Sequence, residues 1–165
     1  VCTHGVRVTR VQFSASRHWI SNGVEVGETA VRFCLARMKQ KEFEQLVEKG
    51  IAAIPEKFRR MMDNVIVVIA DEPSEKIRRE HGLSADETLL GLYEGIPRTE
   101  RGVEYGGLVM PDTITIFRLP IEEAARTPDD IPEIVANTVW HEIAHYFGMK
   151  EDEVRAEEAR RGKTR

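Results

Sequence analysis

The segment that most constrains the fold is an apolar stretch at residues 131–148, which carries two histidines and a glutamate. Asp130 is placed to cap a helix there, with Glu133 three residues on, and Gly148 is placed to end it in the left-handed conformation. Its apolar residues leave such a helix hydrophobic on most sides, so the sequence predicts a core helix. These residues are Ile134, Val135, Val139, Trp140, Ile143, Ala144 and Phe147.

His141 and His145 are four positions apart, so on a helix their side chains lie on one face, one turn apart. Two imidazoles in this arrangement can share one Zn²⁺ ion at about 2.0–2.1 Å each. Glu142 lies about 100° around the helix from His141, too far to bind the same ion alongside them. From there its carboxylate can take a proton from a metal-bound water, whose pKa zinc lowers towards neutrality. The spacing H-E-x-x-H therefore predicts a hydrolytic zinc site.

A catalytic zinc ion usually has three protein ligands and one open position. If the helix breaks at Gly148, the chain can fold back so that a side chain three residues later faces the two histidines. Glu151 is that residue, and Asp152 beside it is the alternative third ligand. The simpler interpretation, two surface histidines and a solvated acid, conflicts with the apolar character of the helix, because an unpaired histidine on a core helix is costly.

Helices are also predicted elsewhere. Apolar residues recur every three or four positions from Phe43 to Ile54, as in an amphipathic helix, and Pro55 starts a second, short one. The run at 151–165 mixes both signs of charge and is expected to form a solvated, fraying helix.

Three segments are predicted strands: 65–70, 88–95 and 113–120. The first is continuous and β-branched, which indicates burial on both faces, and Pro120 is expected to end the third. A glycine-rich loop is predicted at 96–107. Because the strands are not joined by regular βαβ units, the sequence predicts an α+β fold with a small sheet against helices.

The first 37 residues lack a sustained hydrophobic period, and the first methionine is Met38. We expect residues 1–37 to be a poorly ordered extension and 38–165 to be the domain; the alternative is a small hairpin packed on that domain. With 165 residues and a net charge of −4, the chain can form one core and has no basic field for nucleic acid or acidic membranes. No membrane span, secretory signal or cysteine-rich pattern is recognised, so a cytoplasmic location is expected.

At this point the chain resembles the minimal zincin-like metallopeptidases, small bacterial proteins with the signature H-E-x-x-H-x-x-G-x-x-D. The likeness covers about 38–157 and includes 42–74, 89–102 and 111–122. The matching signature residues are His141, Glu142, His145, Gly148 and, with Glu in place of Asp, Glu151.

The resemblance implies a zincin-like fold, in which a short mixed sheet lies above an active-site helix. It implies one Zn²⁺ held by His141, His145 and the acid after the glycine, with Glu142 as the base. It also implies a peptide or protein substrate. By analogy, 88–95 or 106–110 would form a sheet edge to which an extended peptide adds as a strand.

Two departures from the family pattern bear on the site. Position 151 is Glu, which is one methylene longer than the family's Asp, and no methionine follows it to form the turn that larger metzincins place beneath zinc.

The expected function is a zinc-dependent peptidase. The alternative is a zinc-stabilised binding or regulatory module with little or no proteolysis, although such a site needs no base and usually has four protein ligands.

Overall fold

The computed structural model describes residues 6–12, 20–21, 24–25, 37–102 and 110–162, and side chains within 37–102 and 110–160. Its strands are β1 Val6–Gln12, β2 Ile20–Ser21, β3 Val24–Glu25, β4 Val65–Ala70, β5 Glu87–Glu94 and β6 Asp112–Phe117. Four of them form one mixed sheet in the order β1-β5-β6-β4. In this sheet β5 is antiparallel to β1 and β6, and β4 is parallel to β6. The short strands β2 and β3 pair with each other.

The helix at 131–146 is the central element of the packing. The helices are α1 Gln40–Ala52, α2 Glu56–Arg59, α3 Glu75–Glu80, α4 Arg118–Ala124, α5 Ile131–Tyr146 and α6 Glu151–Gly162. Helix α5 contacts β1, β5 and β6 of the sheet, and α1, α4 and α6 contact α5. The predicted α+β class and the predicted core helix are therefore confirmed.

The main core lies between the sheet and the helices. Phe43 and Val47 of α1 and Val135 and Val139 of α5 are buried there with Ile114 and Ile116 of β6 in one hydrophobic cluster. A smaller cluster contains Leu89, Leu92 and Phe117, against which Ile77 of α3 packs. Side chains alternate between the two sides along a strand, so β5 contributes to both clusters and is almost wholly buried.

The strand predicted at 65–70 is confirmed as β4, but the expectation that it is buried on both faces is wrong. It lies at the end of the sheet order, and the side chains of Ile66 and Val68 are 49% and 40% exposed. Valine and isoleucine favour a pleated strand through their branched Cβ atoms, whether or not a second layer covers them. The continuous β-branched run therefore predicts that the segment is a strand, but it does not predict how far the strand is buried.

Two predicted element ends differ from the structure. Strand β6 ends at Phe117, and Pro120 lies in the first turn of α4, where its missing N–H costs no helical hydrogen bond. The capping box predicted from Asp130 and Glu133 does not form, because no side-chain hydrogen bond caps the start of α5. Instead the carboxylate of Asp130 accepts hydrogen bonds from the N–H groups of Arg126 and Thr127, in a capping box that begins the preceding 3₁₀ turn.

Two expectations for the sheet edge and the N-terminal segment have different outcomes. Strand β5 is flanked by β1 and β6, so the analogy that makes 88–95 an edge is wrong, and 106–109 lie outside the described residues. The boundary at residue 37 stays a prediction, because most of 1–36 also lies outside the described residues. Within that segment, β1 pairs with β5 along its length, from Val6 opposite Glu94 to Gln12 opposite Glu87.

Candidate metal centre

Helix α5 places the two motif histidines side by side in the interior. The side chains of His141 and His145 are 4% and 1% exposed, and their ring centroids are 4.7 Å apart with the ring planes nearly perpendicular. The four-residue spacing stacks them on one face, and the apolar residues on the other sides of α5 draw that face into the protein.

The chain reverses immediately after α5. Gly148 has a φ of +90°, and its N–H donates to the carbonyl of His145, while the N–H of Met149 donates to the carbonyl of Ala144. This pair of hydrogen bonds is the Schellman pattern of a helix C-terminus, which needs a residue with positive φ after the last turn. Helix α6 starts only three residues later, at Glu151.

This reversal brings Glu151 back to the histidines. Its Oε2 atom lies 3.3 Å from Nε2 of His141 and 3.3 Å from Nε2 of His145, and one ligand atom from each of the three residues lies within 4.8 Å of the others. The other carboxylate oxygen, Oε1, accepts a hydrogen bond of 2.8 Å from Nε of Arg155. Asp152, the alternative ligand, has an exposed side chain and is not part of this cluster.

The outer nitrogen of each ring makes its own hydrogen bond. Nδ1 of His145 lies 3.0 Å from the carbonyl oxygen of Met149, and Nδ1 of His141 lies 2.9 Å from Oε1 of Glu158. Because a carbonyl or carboxylate oxygen accepts, both Nδ1 atoms carry protons. In the neutral rings both Nε2 atoms therefore keep their lone pairs, which is the form that binds a metal ion.

The donor set fits a zinc ion. Each Nε2 atom lies 3.3 Å from Oε2 of Glu151, and three electron-rich atoms this close favour positive charge between them. In the part of the chain with described side chains, the buried Nε2 atom of His141 makes no hydrogen bond. Two imidazoles and a carboxylate are a common ligand set of catalytic zinc, with the fourth position open.

The electrostatics of the site also favour a cation. Burial lowers the pKa of His141, but the hydrogen bond to Glu158 and the charges of Glu142, Glu158 and Glu151 raise it more, so its pKa lies above the ordinary value. Burial raises the pKa of Glu151, yet the hydrogen bond from Arg155 and the charges of Arg155 and both histidines lower it overall. The carboxylates around His141 therefore favour positive charge at this ring, and the groups around Glu151 keep it ionised.

Glu142, the residue after the first histidine, is completely buried. A Cβ atom added to Gly91 of β5 would lie 2.6 Å from its Oε1 atom and 2.9 Å from Cγ2 of Thr138. Strand β5 can therefore pass over this carboxylate only because residue 91 has no side chain. The sequence indicated Glu142 but not Gly91, because the close approach depends on how β5 crosses α5.

Tyr146 follows the second histidine and is also completely buried. Its hydroxyl lies 2.9 Å from a carboxylate oxygen of Asp63, and this hydrogen bond is the main reason that the pKa of Asp63 is lowered. The guanidinium of Arg101 lies over the Tyr146 ring and forms an ion pair with Asp112 at 2.5 Å. Tyr146 thus connects the end of α5 to the segments that contain Asp63 and Arg101.

The comparison with known families agrees with this geometry. A family model described as zincin-like metallopeptidase matches residues 62–161, more than half of the chain. The chain belongs to the zincin-like metallopeptidase family. No curated protein matches the sequence. The match runs from just before β4 to the end of α6 and so includes every residue of the centre described above.

Membership of this family confirms the predicted resemblance and the zincin-like α+β fold. The family implies zinc as the metal and a peptide or protein as the substrate. Within the described residues, no helix combines the length and apolar character that crossing a bilayer requires.

Glu158, like Gly91 and Arg155, is a residue of the centre that the sequence did not indicate. It lies in the charged C-terminal run that was predicted to be a solvated helix, and most of α6 does face solvent. Its position seven residues after Glu151, two helical turns on the same face, is the signal that could have found it.

Proposed function

We propose that the protein is a zinc-dependent peptidase in which His141, His145 and Glu151 bind one Zn²⁺ and Glu142 is the general base. The observation that carries the proposal is that these three donors converge next to a fully buried Glu142. Three donors leave the fourth position of a tetrahedral ion for water or substrate. A carboxylate next to this centre can act as a base on water, whereas a purely structural zinc site does not need one.

When bound, zinc would polarise the scissile carbonyl and lower the pKa of its bound water towards neutrality. The carboxylate of Glu142 would take a proton from the attacking water and later give it to the leaving amine. The hydrogen bonds at Nδ1 keep His141 and His145 in the tautomer with Nε2 free to bind. Arg155 holds one oxygen of Glu151, which leaves Oε2 directed at the centre.

The test of the base is Glu142→Gln in the zinc-loaded full chain. The amide has nearly the shape of the carboxylate but cannot take a proton, so cleavage of a mixed peptide pool should fall by at least about 10²-fold. Zinc content should stay at that of the wild-type protein. Cleavage is followed by mass spectrometry, with and without a chelator.

Glu133→Gln is the matched control, because it makes the same change at an exposed position of the same helix. It should keep both zinc and turnover. Undiminished hydrolysis by the Glu142→Gln variant would refute the role of Glu142, and a zinc-loaded wild-type protein that cleaves no peptide would refute the peptidase.

The metal ligands are tested by His145→Ala, with zinc per chain measured by atomic emission after dialysis. Removing one of three ligands should abolish retention of the ion. His81→Ala removes a histidine that is not part of the cluster and should leave the zinc content unchanged. One equivalent of zinc in the His145→Ala variant would contradict the ligand assignment.

A further inference from the structure

Helix α6 meets α5 through one face. Glu151, Val154 and Glu158 are spaced by three and four residues, so their side chains lie along the same side of the helix. Val154 is completely buried, whereas both carboxylates are only partly covered. It is the one fully buried apolar side chain of α6 within 151–160. On the same side of the helix, the two carboxylates reach the histidines of α5.

The two carboxylates contact different atoms of His141. Oε2 of Glu151 faces its Nε2 atom at 3.3 Å, and Oε1 of Glu158 lies 2.9 Å from its Nδ1 atom. Helix α6 thus holds this ring at both nitrogens. His145 differs, because its Nδ1 atom is held by the backbone carbonyl of Met149, within the turn that ends α5.

The two outer contacts differ in strength and in dependence on α6. A hydrogen bond to a carboxylate is charge-assisted and roughly twice as strong as one to a neutral acceptor. It also increases the electron-donating power of the ring nitrogen that faces the metal. The carbonyl of Met149 is present whenever α5 ends as it does, whereas Glu158 is present only when α6 is docked.

We propose that Glu158 is a positioning residue of the metal centre, which holds His141 in the Nδ1-protonated tautomer and makes zinc affinity depend on the docking of α6. The proposal rests on the proposed function in that His141 is a zinc ligand. Glu158 itself does not bind the ion. Its carboxylate fixes the ring so that the Nε2 lone pair points to the centre, and its charge strengthens that lone pair.

The test measures zinc affinity of the full chain by competition with a chelating dye. Glu158→Ala removes both the acceptor and the charge, and should weaken zinc binding by about 10- to 100-fold. Glu158→Gln keeps an acceptor oxygen without the charge, so its affinity should lie between those of the wild-type protein and Glu158→Ala. Glu157→Gln is the control, because the neighbouring Glu157 is paired with Arg160 and lies on a different side of α6. Its zinc affinity should equal that of the wild type.

A second readout separates positioning from general stabilisation. Nitrogen NMR of the histidine rings in the metal-free protein, at an alkaline pH where the rings are neutral, should show His141 protonated at Nδ1 in the wild type and a mixture of tautomers in Glu158→Ala. His145 should keep its wild-type tautomer in both. Zinc affinity within twofold of the wild type in Glu158→Ala, or an unchanged His141 signal, would overturn the proposal.

Neither measurement uses a substrate, so a protein that binds zinc but cleaves nothing contradicts the proposed peptidase and leaves the role of Glu158 standing. If His141→Ala left the zinc affinity unchanged, His141 would not be a ligand, and both proposals would be overturned. The tautomer of His141 in the metal-free chain still measures whether Glu158 orients the ring.

Discussion

Gly91 and Glu142 come from different elements, and the space between them is smaller than a methyl group. The nearest atoms to a Cβ built at Gly91 are Oε1 and Cγ of Glu142, at 2.6 and 2.8 Å. Both belong to a side chain that is completely buried and has little room to move. The absence of a side chain at residue 91 therefore sets the position of the carboxylate.

Gly91→Ala should lower the free energy of unfolding by about 1–3 kcal/mol, because the added methyl group overpacks a full site. It should also reduce peptidase activity by displacing Glu142, while zinc is retained through the histidines. Urea unfolding, metal content and peptide cleavage measure the three effects.

Gly102→Ala is the control for this substitution, because among the described residues nothing beyond the immediate chain neighbours lies within 4 Å of a Cβ at that position. It should leave stability and activity almost unchanged. If the two alanine variants had equal stability and equal turnover, the close contact between Gly91 and Glu142 would not exist.

The sequence predicts those residues of the site whose positions depend only on local helix and turn geometry. His141, Glu142 and His145 follow from helical spacing, and Glu151 follows from a turn at Gly148; the structure brings these side chains together. Their roles as ligands and base stay proposals. Glu158 and Gly91 could not be predicted in this way, because their contacts depend on how α6 and β5 cross α5.

At the level of elements, the sequence predicted type more reliably than environment. Helix α1 and the core helix α5 follow from their apolar periods, β4 follows from its β-branched run, and β6 follows from its alternating pattern. Burial of β4 did not follow, because its neighbours are set by the order of strands in the sheet. The predicted end of β6 at Pro120 also differs from the observed end at Phe117, because a proline is compatible with both a strand end and a first helical turn.

Val68→Thr and Val67→Thr compare the two faces of β4 with one isosteric change. The side chain of Val68 is 40% exposed, and that of Val67 packs against the main core. A hydroxyl at residue 68 meets water, so the change in the free energy of unfolding should stay within about 0.5 kcal/mol. A hydroxyl at residue 67, which is partly buried against the core, loses part of its hydration and should cost about 1 kcal/mol or more.

Both values come from urea unfolding curves, and the slopes should be the same in the two variants. Equal costs at residues 67 and 68 would mean that β4 is covered on both faces, as its sequence alone suggested.

At the level of the whole molecule, the proposed ion joins α5 to α6. The proposed ligands come from the end of α5 and the start of α6, on either side of the turn at Gly148. An unfolded chain does not hold these side chains together, so zinc binds the folded state and stabilises it.

Removing zinc with a chelator should therefore lower the melting temperature of the wild-type protein. Free zinc at 100 times its dissociation constant would contribute about 2.7 kcal/mol to the free energy of unfolding. His145→Ala should melt at the same temperature with and without the chelator, because it has lost the ion already. An equal chelator-induced shift in wild type and His145→Ala, measured by scanning calorimetry, would show that zinc acts at another place.

The pairing of β1 with β5 determines how an extended peptide could reach the centre. Gly91, beside Glu142, has Thr9 of β1 as its partner on one side and Ile116 of β6 on the other. Its strand therefore has no unpaired edge next to the carboxylate. A peptide that lay along β5 would have to take the place of the seven residues Val6–Gln12. A peptide that entered by this route would displace β1 from β5. Each backbone pairing that the peptide gains would be one that β1 loses.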